Sequence, residues 1–164
     1  MLIIFGGLPA TGKTTIAQTL AKQIKATYLR ADTIEQTLAL TGKIPKDMED
    51  MGYRIGYSLA TENLKLGNVV IADSVNPFNI TREAWRNAAQ SATSKYLEIE
   101  IICSDKTIHQ QRAETRITDI ANFTLPTWQK ISDRYYEPWI TKQLTIDTTT
   151  TSVQQAVALI QQHI

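Results

Sequence analysis

Residues 2–15 read LIIFGGLPATGKTT, and this stretch decides the fold. Its first part, Leu2 to Phe5, is a compact apolar run of the kind that forms a strand buried on both faces of a parallel sheet. From Thr14 to Lys25 the apolar residues recur every four positions, as they do along one face of a helix. The stretch therefore predicts a buried strand, a glycine-rich turn and a helix in immediate succession.

The turn matches the pattern G-x-x-x-x-G-K-S/T at every fixed position, which is typical of a phosphate loop. Glycines let the backbone approach a phosphate chain, and successive amides with the helix N-terminus direct partial positive charge at it. The pattern predicts that Lys13 lies near the β- and γ-phosphates and that the Thr14 hydroxyl ligates Mg²⁺. A chance glycine-rich turn is the alternative, and the flanking strand and helix weigh against it. The predicted nucleotide-binding residues are Gly7, Leu8, Pro9, Ala10, Thr11, Gly12, Lys13, Thr14 and Thr15.

Beyond this stretch, predicted strands alternate with predicted helices. Four more strands are expected, at 27–30, 69–72, 96–103 and 143–146. The expected helices are 32–40, 47–66, 81–92, 106–117, 127–136 and 152–162, with Thr81 as an N-cap and Gly67 as a C-cap. This alternation predicts a three-layer α/β/α fold of the P-loop NTPase type with a five-stranded parallel sheet. We expect one domain over residues 1–164, with a small lid at about 112–126.

Composition limits the class of protein. Hydrophobic residues make up 43% of the 164 residues and charged residues 20%, which suits a globular domain. Seventeen basic against sixteen acidic residues leave a net charge of +1, which excludes a polycation that binds nucleic acid through bulk charge. The single cysteine, Cys103, allows no internal disulfide and predicts a reducing, cytoplasmic setting. We expect no association with membranes, because no apolar run is long enough to cross one.

Two carboxylates follow predicted strands. Asp73 closes an apolar strand, where a carboxylate can orient Mg²⁺, and the alternative is that it caps a turn. Asp32 follows the second strand, and the strand ends of such sheets line the ligand crevice. A carboxylate at that place can accept the proton of an attacking hydroxyl. The equally weighted alternative is a capping box, with Asp32 as N-cap and Glu35 at N3.

Two arginines are candidates for the lid. Arg112 and Arg116 are four residues apart, so they share one helical face just before the loop 119–126. Arginines on a closing lid can neutralise charge on a transferring phosphoryl group. The alternative is a solvated helix face on which Glu114 and Asp119 are their partners.

These features together resemble small P-loop kinases. The resemblance rests on the phosphate loop, Asp32, the stretches 71–77 and 81–85, and the arginine pair. In layout the chain is similar to the kinase domain of phage-type 5′-hydroxyl polynucleotide kinase, gluconate kinases, chloramphenicol phosphotransferase and zeta toxins. Over nearly its whole length it resembles bacterial AAA-type ATP-binding proteins.

The resemblance implies roles for individual residues. It makes ATP and Mg²⁺ the expected cofactors and Asp32 the general base, with Asp73 near the active site and Thr14 holding the metal. Arg112 also contacts ATP in this scheme. The implied catalytic residues are Lys13, Asp32, Arg112 and Arg116.

The acceptor side departs from several relatives, which have an arginine three residues after the catalytic aspartate. Here that position is Glu35, which would repel an anionic acceptor and disfavours a polynucleotide. Tyr53, Arg54 and Tyr57 lie on the helix that covers the acceptor site in such kinases, so we expect them to line the pocket. An aromatic cluster is expected either to stack on a substrate ring or to pack in the core, and it consists of Trp128, Tyr135, Tyr136 and Trp139.

The sequence therefore predicts an ATP-dependent kinase that transfers the γ-phosphoryl group to a hydroxyl of a small molecule. A 5′-hydroxyl polynucleotide or nucleoside kinase is the first alternative. A nucleotide-switch ATPase is an alternative of another class. We expect a monomer or a homodimer.

Overall fold

Five strands alternate with seven helices along residues 1–42 and 50–164, the part of the chain that the computed structural model describes. The strands are β1 (Leu2–Gly6), β2 (Thr27–Arg30), β3 (Val70–Asp73), β4 (Tyr96–Ile102) and β5 (Leu144–Asp147). The helices are α1 (Lys13–Ile24), α2 (Ala31–Leu40), α3 (Met51–Lys65), α4 (Asn79–Ser91), α5 (Lys106–Thr115), α6 (Trp128–Ser132) and α7 (Val153–Gln161).

The strands form one parallel sheet in the order β2-β3-β1-β4-β5. The first strand lies at the centre, and all five of its residues are buried. Strands β3 and β2 lie on one side of β1, and strands β4 and β5 lie on the other, so the direction of strand order reverses at β1. Such a reversal of strand order opens a crevice at the carboxyl ends of the strands. Phe5 pairs with Asp73, so the loop after β1 and the end of β3 meet at this edge.

Helices cover both faces of the sheet. Alternate strand residues such as Ile3 and Ile99 pack on one face against Leu20 of α1 and Ile160 of α7. The other face, with Leu2 and Ile4, packs against α3 and α4, where the Trp85 ring is buried. Each large apolar side chain buried in this way contributes about 1.5–3 kcal/mol. The predicted three-layer α/β/α arrangement with a five-stranded parallel sheet is confirmed.

Some predicted helix boundaries are wrong. Helix α4 begins at Asn79 with Phe78 as its N-cap, so Thr81 lies inside the first turn and donates its hydroxyl to the Phe78 carbonyl at 2.8 Å. Helix α6 ends at Ser132 rather than at residue 136, because the following segment leaves the helix to pack against α4. The predicted helix 47–66 starts at Met51 within the described residues, and residues 47–49 lie outside them.

Other boundaries agree with the predictions. Strand β2 has the predicted bounds, and Ser152 caps α7 through a complete capping box with Gln155. Gly67 follows the C-cap of α3 with φ of +84°, the left-handed conformation that glycine adopts without strain. Within the described residues, no helix has both the length and the apolar character needed to span a membrane.

Candidate active site

The glycine-rich loop connects β1 to α1 through a tight backbone path. Gly7 has φ of +139°, and a Cβ at this position would lie 2.1 Å from the Ile101 carbonyl oxygen. Gly12 has φ of +93° and caps α1 without any side-chain hydrogen bond. The first amides of α1 are therefore not satisfied by a capping side chain and lie at the positive end of the helix dipole. This geometry suits an anion with several oxygen acceptors.

Lys13 and Asp73 are buried together beside this loop. The Lys13 Nζ lies 4.0 Å from the Asp73 Oδ1, and the two residues are 6% and 2% exposed. The other carboxylate oxygen, Oδ2, accepts a hydrogen bond from the Tyr28 hydroxyl at 2.6 Å. Burial and the Asp73 carboxylate raise the pKa of Tyr28, so its hydroxyl stays a proton donor. Asp73 thus has one fixed oxygen and one oxygen directed to the side of Lys13.

The oxygen donors beside Lys13 suit a metal ion. Asp73 Oδ1 is buried and has no hydrogen-bond partner in the described part of the chain, which is costly for a carboxylate unless a ligand satisfies it. The half-buried Thr14 follows Lys13 and lines the adjoining cavity. Oxygen donors of these two types fit Mg²⁺. The described residues contain no group of three His, Cys, Asp or Glu side chains able to hold a metal, and Mg²⁺ bound to phosphates and water needs none.

An open cavity of about 1550 Å³ extends from the glycine-rich loop across the ends of the strands. This volume exceeds the 300–1000 Å³ typical of a pocket for one small ligand, so two molecules can be bound side by side. The cavity brings together most of the residues predicted from sequence. Its lining includes Pro9, Ala10, Gly12, Lys13, Thr14, Thr15, Asp32, Glu35, Tyr53, Arg112 and Arg116.

Asp32 lines this cavity from the first turn of α2. The helix begins at Ala31 and its N-cap is Arg30, the last residue of β2, with no side-chain capping bond. The capping-box interpretation of Asp32 and Glu35 is therefore wrong, because the helix starts directly from the extended strand. In the first turn a carboxylate is favoured by the helix dipole, and its oxygens stay available to a ligand.

Glu35 lies one turn further along α2 and is half-buried against α3. A Cβ added to Gly52 would lie 2.2 Å from the Glu35 Cγ, so the absence of a side chain at position 52 makes room for the carboxyl group. Burial, helped by the neighbouring Asp32 carboxylate, raises the pKa of Glu35 to about 7, against a small opposing effect of Arg134. The cavity wall therefore contains one carboxyl group that changes charge near neutral pH.

The three residues predicted on α3 separate in the structure. Tyr53 lines the cavity, and its hydroxyl accepts a hydrogen bond from the Asn76 amide at 3.2 Å. Arg54 is exposed and pairs with Asp50 at 2.8 Å, outside the lining of the cavity. Tyr57 also lies outside, because one turn further along α3 its ring packs edge-on against Trp85 with centroids 4.6 Å apart. The prediction is therefore wrong for the positions of Arg54 and Tyr57.

Arg112 connects two loops at the other end of the cavity. Its guanidinium donates to the Thr148 hydroxyl at 2.8 Å and to the Thr148 carbonyl at 3.1 Å. The Thr148 hydroxyl in turn donates to the Thr11 carbonyl at 2.7 Å. This chain fixes the loop after β5 against the glycine-rich loop and holds Arg112 at the cavity wall.

Arg116 is the C-cap of α5. Its guanidinium Nε and one Nη are buried and have no hydrogen-bond partner among residues 1–42 and 50–164. Burial lowers the pKa of Arg116, and the nearby Asp32 carboxylate opposes that effect. The alternative prediction, that Arg116 lies on a solvated helix face with Glu114 and Asp119 as partners, is wrong. Asp119 pairs instead with Arg30 at 2.7 Å, and Glu114 accepts from a neighbouring glutamine. Arg116 is therefore a half-buried cation whose two unpartnered nitrogens suit an anionic ligand.

Residues 112–126, the segment that the sequence predicts to be a lid, contact the end of β2 and helix α2. The Arg30–Asp119 pair holds its middle, and the Gln36 side chain donates to the Asn122 carbonyl at 2.9 Å. The segment thus spans the cavity between the glycine-rich loop and Asp32. Both of these contacts are exposed to solvent, so the part of the segment after Arg116 can detach at little cost in free energy, while Arg112 stays bonded to Thr148.

Arg82 is a site-supporting residue that sequence reasoning assigned no role. Its side chain is buried beneath the cavity and donates four hydrogen bonds to the carbonyls of Asn76, Pro77, Glu137 and Pro138. The guanidinium also lies 4.5 Å from the Trp139 ring centroid. One feature of the sequence did point to its burial: Arg82 lies three residues before Trp85, on the apolar face of the helix.

His109 is a second such residue. Its Nε2 lies 2.8 Å from the Pro9 carbonyl, and its ring packs edge-on against Trp128 with centroids 5.1 Å apart. The sequence shows only an isolated histidine at this position. The structure shows that it supports the glycine-rich loop from behind.

Comparisons with known proteins agree with this architecture. A family model described as an AAA domain matches residues 2–138. No curated protein sequence matches the chain. A candidate kinase from Chloroflexus aurantiacus shares 22% identity and a TM-score of 0.76, over 99% of this chain and 94% of that one.

Two named kinases have similar folds. An APS kinase from Mycobacterium tuberculosis, in complex with AMPPNP and APS, is 19% identical with a TM-score of 0.72, over 98% of this chain and 95% of that one. A gluconokinase from Sinorhizobium meliloti is 13% identical with a TM-score of 0.65, over 98% and 91%. These likenesses establish a kinase-like P-loop fold.

Proposed function

Since the chain belongs to the AAA domain family, we propose that it is an ATP-dependent kinase that transfers the γ-phosphoryl group to a hydroxyl of a small molecule. One observation carries the proposal: Asp32 lines the same cavity as Lys13, Arg112 and Arg116. A carboxylate facing a cluster of cations is what transfer from a polyphosphate to an alcohol requires.

The nucleotide would lie at the loop end of this cavity. The loop amides and Lys13 would hold its phosphates, Arg112 would contact it from the side of Thr148, and Thr14 and Asp73 would hold Mg²⁺. A bound Mg²⁺ would neutralise part of the negative charge of the phosphates. The support is the unsatisfied Asp73 Oδ1 together with the uncapped start of α1.

Asp32 would act on the acceptor. Its carboxylate takes the hydroxyl proton as the acceptor oxygen bonds to the γ-phosphorus and the bond between that phosphorus and the β–γ bridging oxygen breaks. Lys13 and Arg116 balance the charge on the transferring group and on the departing ADP. The products are a phosphate ester and ADP, and Asp32 returns its proton to water. Catalysis then consists of positioning and electrostatic stabilisation without a covalent enzyme intermediate.

Acceptor-dependent transfer is the direct test. The purified protein is incubated with γ-labelled ATP and Mg²⁺, alone or with nucleosides, sugars, aminoglycosides or a 5′-hydroxyl oligonucleotide. We expect little ADP without an acceptor and label in a small molecule when the right class is present. Label found only as inorganic phosphate, at a rate that no acceptor changes, would favour the nucleotide-switch ATPase. Label in the oligonucleotide would favour the polynucleotide kinase.

Tyr28→Phe should weaken metal binding without unfolding the protein. The change removes the hydroxyl that fixes Asp73 Oδ2 and keeps the aromatic ring in place. Partners that orient a metal ligand typically contribute about tenfold or more to metal affinity. We expect the half-saturating Mg²⁺ concentration to rise about tenfold in calorimetric titrations of the complex with an ATP analogue.

A matched control for this change is Tyr96→Phe, which removes the hydroxyl of a half-buried tyrosine at the opposite end of the sheet. Its Mg²⁺ titration should match that of the wild type. Equal Mg²⁺ affinity in the Tyr28 and Tyr96 variants would show that the hydroxyl of Tyr28 does not position the metal ligand.

Glu35→Gln should change how stability depends on pH. Because the folded-state pKa of Glu35 is raised to about 7, the unfolded chain loses this proton first as pH rises from about 4.5. Stability therefore falls between pH 4.5 and 7, by up to about 3 kcal/mol and by roughly 1–2 kcal/mol after solvent screening of a half-buried group. Glutamine cannot ionise, so the variant should gain stability relative to wild type at pH 8 but not at pH 5.

Urea unfolding at the two pH values measures this difference. Glu83→Gln is the control, because Glu83 is exposed on α4 and lies outside the cavity lining. If the free energy of unfolding changed with pH equally in the Glu35 and Glu83 variants, Glu35 would ionise like a surface carboxylate.

A further inference from the structure

Two aromatic side chains line the cavity, and one of them follows Arg134, whose charge acts on Glu35. Phe78 and Tyr135 have ring centroids 6.3 Å apart with planes inclined by 35°, and both line the cavity. They are 42% and 70% exposed. Large aromatic surfaces left in water at a cavity wall gain free energy when a ligand covers them.

The other members of the aromatic cluster are not available to a ligand. Trp139 is buried against Gly6, where a Cβ would lie 2.1 Å from its ring. Tyr136 packs on Arg82, and Trp128 packs on His109. Within the cluster predicted from sequence, only Tyr135 has an exposed ring at the cavity, and Phe78 joins it from a distant part of the chain.

The backbone that carries this aromatic pair is firmly fixed. Arg82 bonds to carbonyls on both sides of it, at residues 76–77 and 137–138. The Glu137 amide donates to the Pro77 carbonyl at 2.8 Å, which joins the two segments directly. Aromatic rings held on a rigid backbone bind a flat partner with little loss of entropy.

The charge of the same cavity limits what that partner can be. Asp32 and Glu35 both line it, and within residues 1–42 and 50–164 neither forms an ion pair within 4.0 Å. Arg134 offsets part of the Glu35 charge, Lys130 also lines the cavity, and Arg30 is paired with Asp119. With Lys13, Arg112 and Arg116 assigned to the triphosphate, a negatively charged group placed beside Asp32 and Glu35 would meet both carboxylates as well as the triphosphate.

We propose that Phe78 and Tyr135 form a stacking platform for the acceptor, and that the acceptor is a ring-bearing molecule without negative charge. The inference rests on the proposed kinase function and adds the chemical class of its second substrate. A protein-docking patch is the competing use of exposed rings here. It is less well supported because the neighbouring exposed side chains Ile80 and Ile140 do not line the cavity, whereas the two rings do.

The test measures binding directly, with four probes on the complex with an ATP analogue and Mg²⁺. Adenosine presents an aromatic ring, and methyl β-glucoside presents the apolar face of a sugar ring. Comparing the two shows which kind of ring stacks on the two aromatic side chains. Glycerol is the acyclic probe, and AMP is the anionic counterpart of adenosine. We expect one of the two uncharged rings to shift the Phe78 and Tyr135 ring resonances in NMR spectra and to bind at least fivefold more tightly than glycerol and AMP.

Variants connect this binding to the two rings. Phe78→Leu and Tyr135→Leu keep apolar side chains but remove the flat faces, and each should weaken binding of that ring probe about five- to tenfold. Tyr135→Phe keeps the aromatic ring and should bind the ring probe as wild type does. Ile80→Ser is the control for an exposed apolar residue outside the cavity and should change nothing.

Several results would overturn the platform: no ring probe shifts the two resonances, glycerol or AMP binds best, or the leucine variants bind the ring probe as wild type does. Self-association lost in the leucine and Ile80 variants together would instead indicate a protein-docking patch. If a ring binds as expected but no label from ATP reaches any acceptor, the platform stands and the kinase proposal fails. If label transfer proceeds unchanged in the leucine variants, the kinase proposal stands and the platform fails.

Discussion

Asp32→Asn is expected to lower kcat by about 10²- to 10⁴-fold, the usual contribution of a general base. Asparagine has nearly the same size and keeps the first turn of α2, but its amide cannot take up the hydroxyl proton. Because the proposed phosphate contacts come from the glycine-rich loop and its neighbouring cations rather than from Asp32, the affinity for MgATP should stay within about threefold of wild type. Single-turnover kinetics with saturating MgATP measure the first effect, and calorimetry measures the second.

Asp50→Asn provides a matched control for this variant. Asp50 is another carboxylate in the cavity lining, but it pairs with Arg54 at the surface of α3. Its loss should change kcat by no more than about threefold. Asp73→Asn should differ from both, because it removes the negative charge of the carboxylate proposed to hold Mg²⁺ and should raise the Mg²⁺ requirement. Equal losses of MgATP affinity in the Asp32 and Asp73 variants would contradict the assignment of Asp32 as the base.

The part of this site that is local in sequence was predictable. Residues 2–15 form the strand, loop and helix that their pattern indicates, because apolar runs, glycine positions and helical spacing act over a few neighbouring residues. Asp73 lies at its strand end for the same reason. The start of α2 was harder to predict, because a helix that follows a strand without a turn has no separate capping residue. Asp32 therefore lies inside the first turn of the helix rather than at its N-cap.

The contacts that complete the site were not predictable in this way. Tyr28 bonds to Asp73 across 45 positions, and Phe78 meets Tyr135 across a longer separation. Such pairs depend on strand order and on where long segments return to the sheet, and hydrophobic patterns along one chain do not specify either. The buried Arg82 had a helical pattern pointing to it, yet its partners are main-chain carbonyls that carry no sequence signal.

Lys13→Ala is expected to weaken MgATP binding by about 10- to 100-fold. Within the glycine-rich loop, Lys13 is the only side chain with a positive charge, and the other donors are backbone amides. A hydrogen bond to a charged group contributes about 1.5–3 kcal/mol, which corresponds to that range of affinity. Calorimetric titration with a non-hydrolysable ATP analogue and Mg²⁺ measures the loss. Lys22→Ala, on the exposed side of α1, should bind as wild type does.

The same substitution also has a predicted effect on the nucleotide-free protein. Lys13 is the cation 4.0 Å from the buried Asp73 Oδ1, so its removal leaves that carboxylate, among the described residues, with the Tyr28 hydrogen bond alone. An uncompensated buried charge is destabilising, and the variant should melt at a lower temperature than wild type. Lys13→Ala combined with Asp73→Asn should recover part of that stability but none of the MgATP affinity, because the asparagine removes the buried charge without restoring a cation. A folded Lys13→Ala protein with unchanged MgATP affinity would place the nucleotide outside this loop.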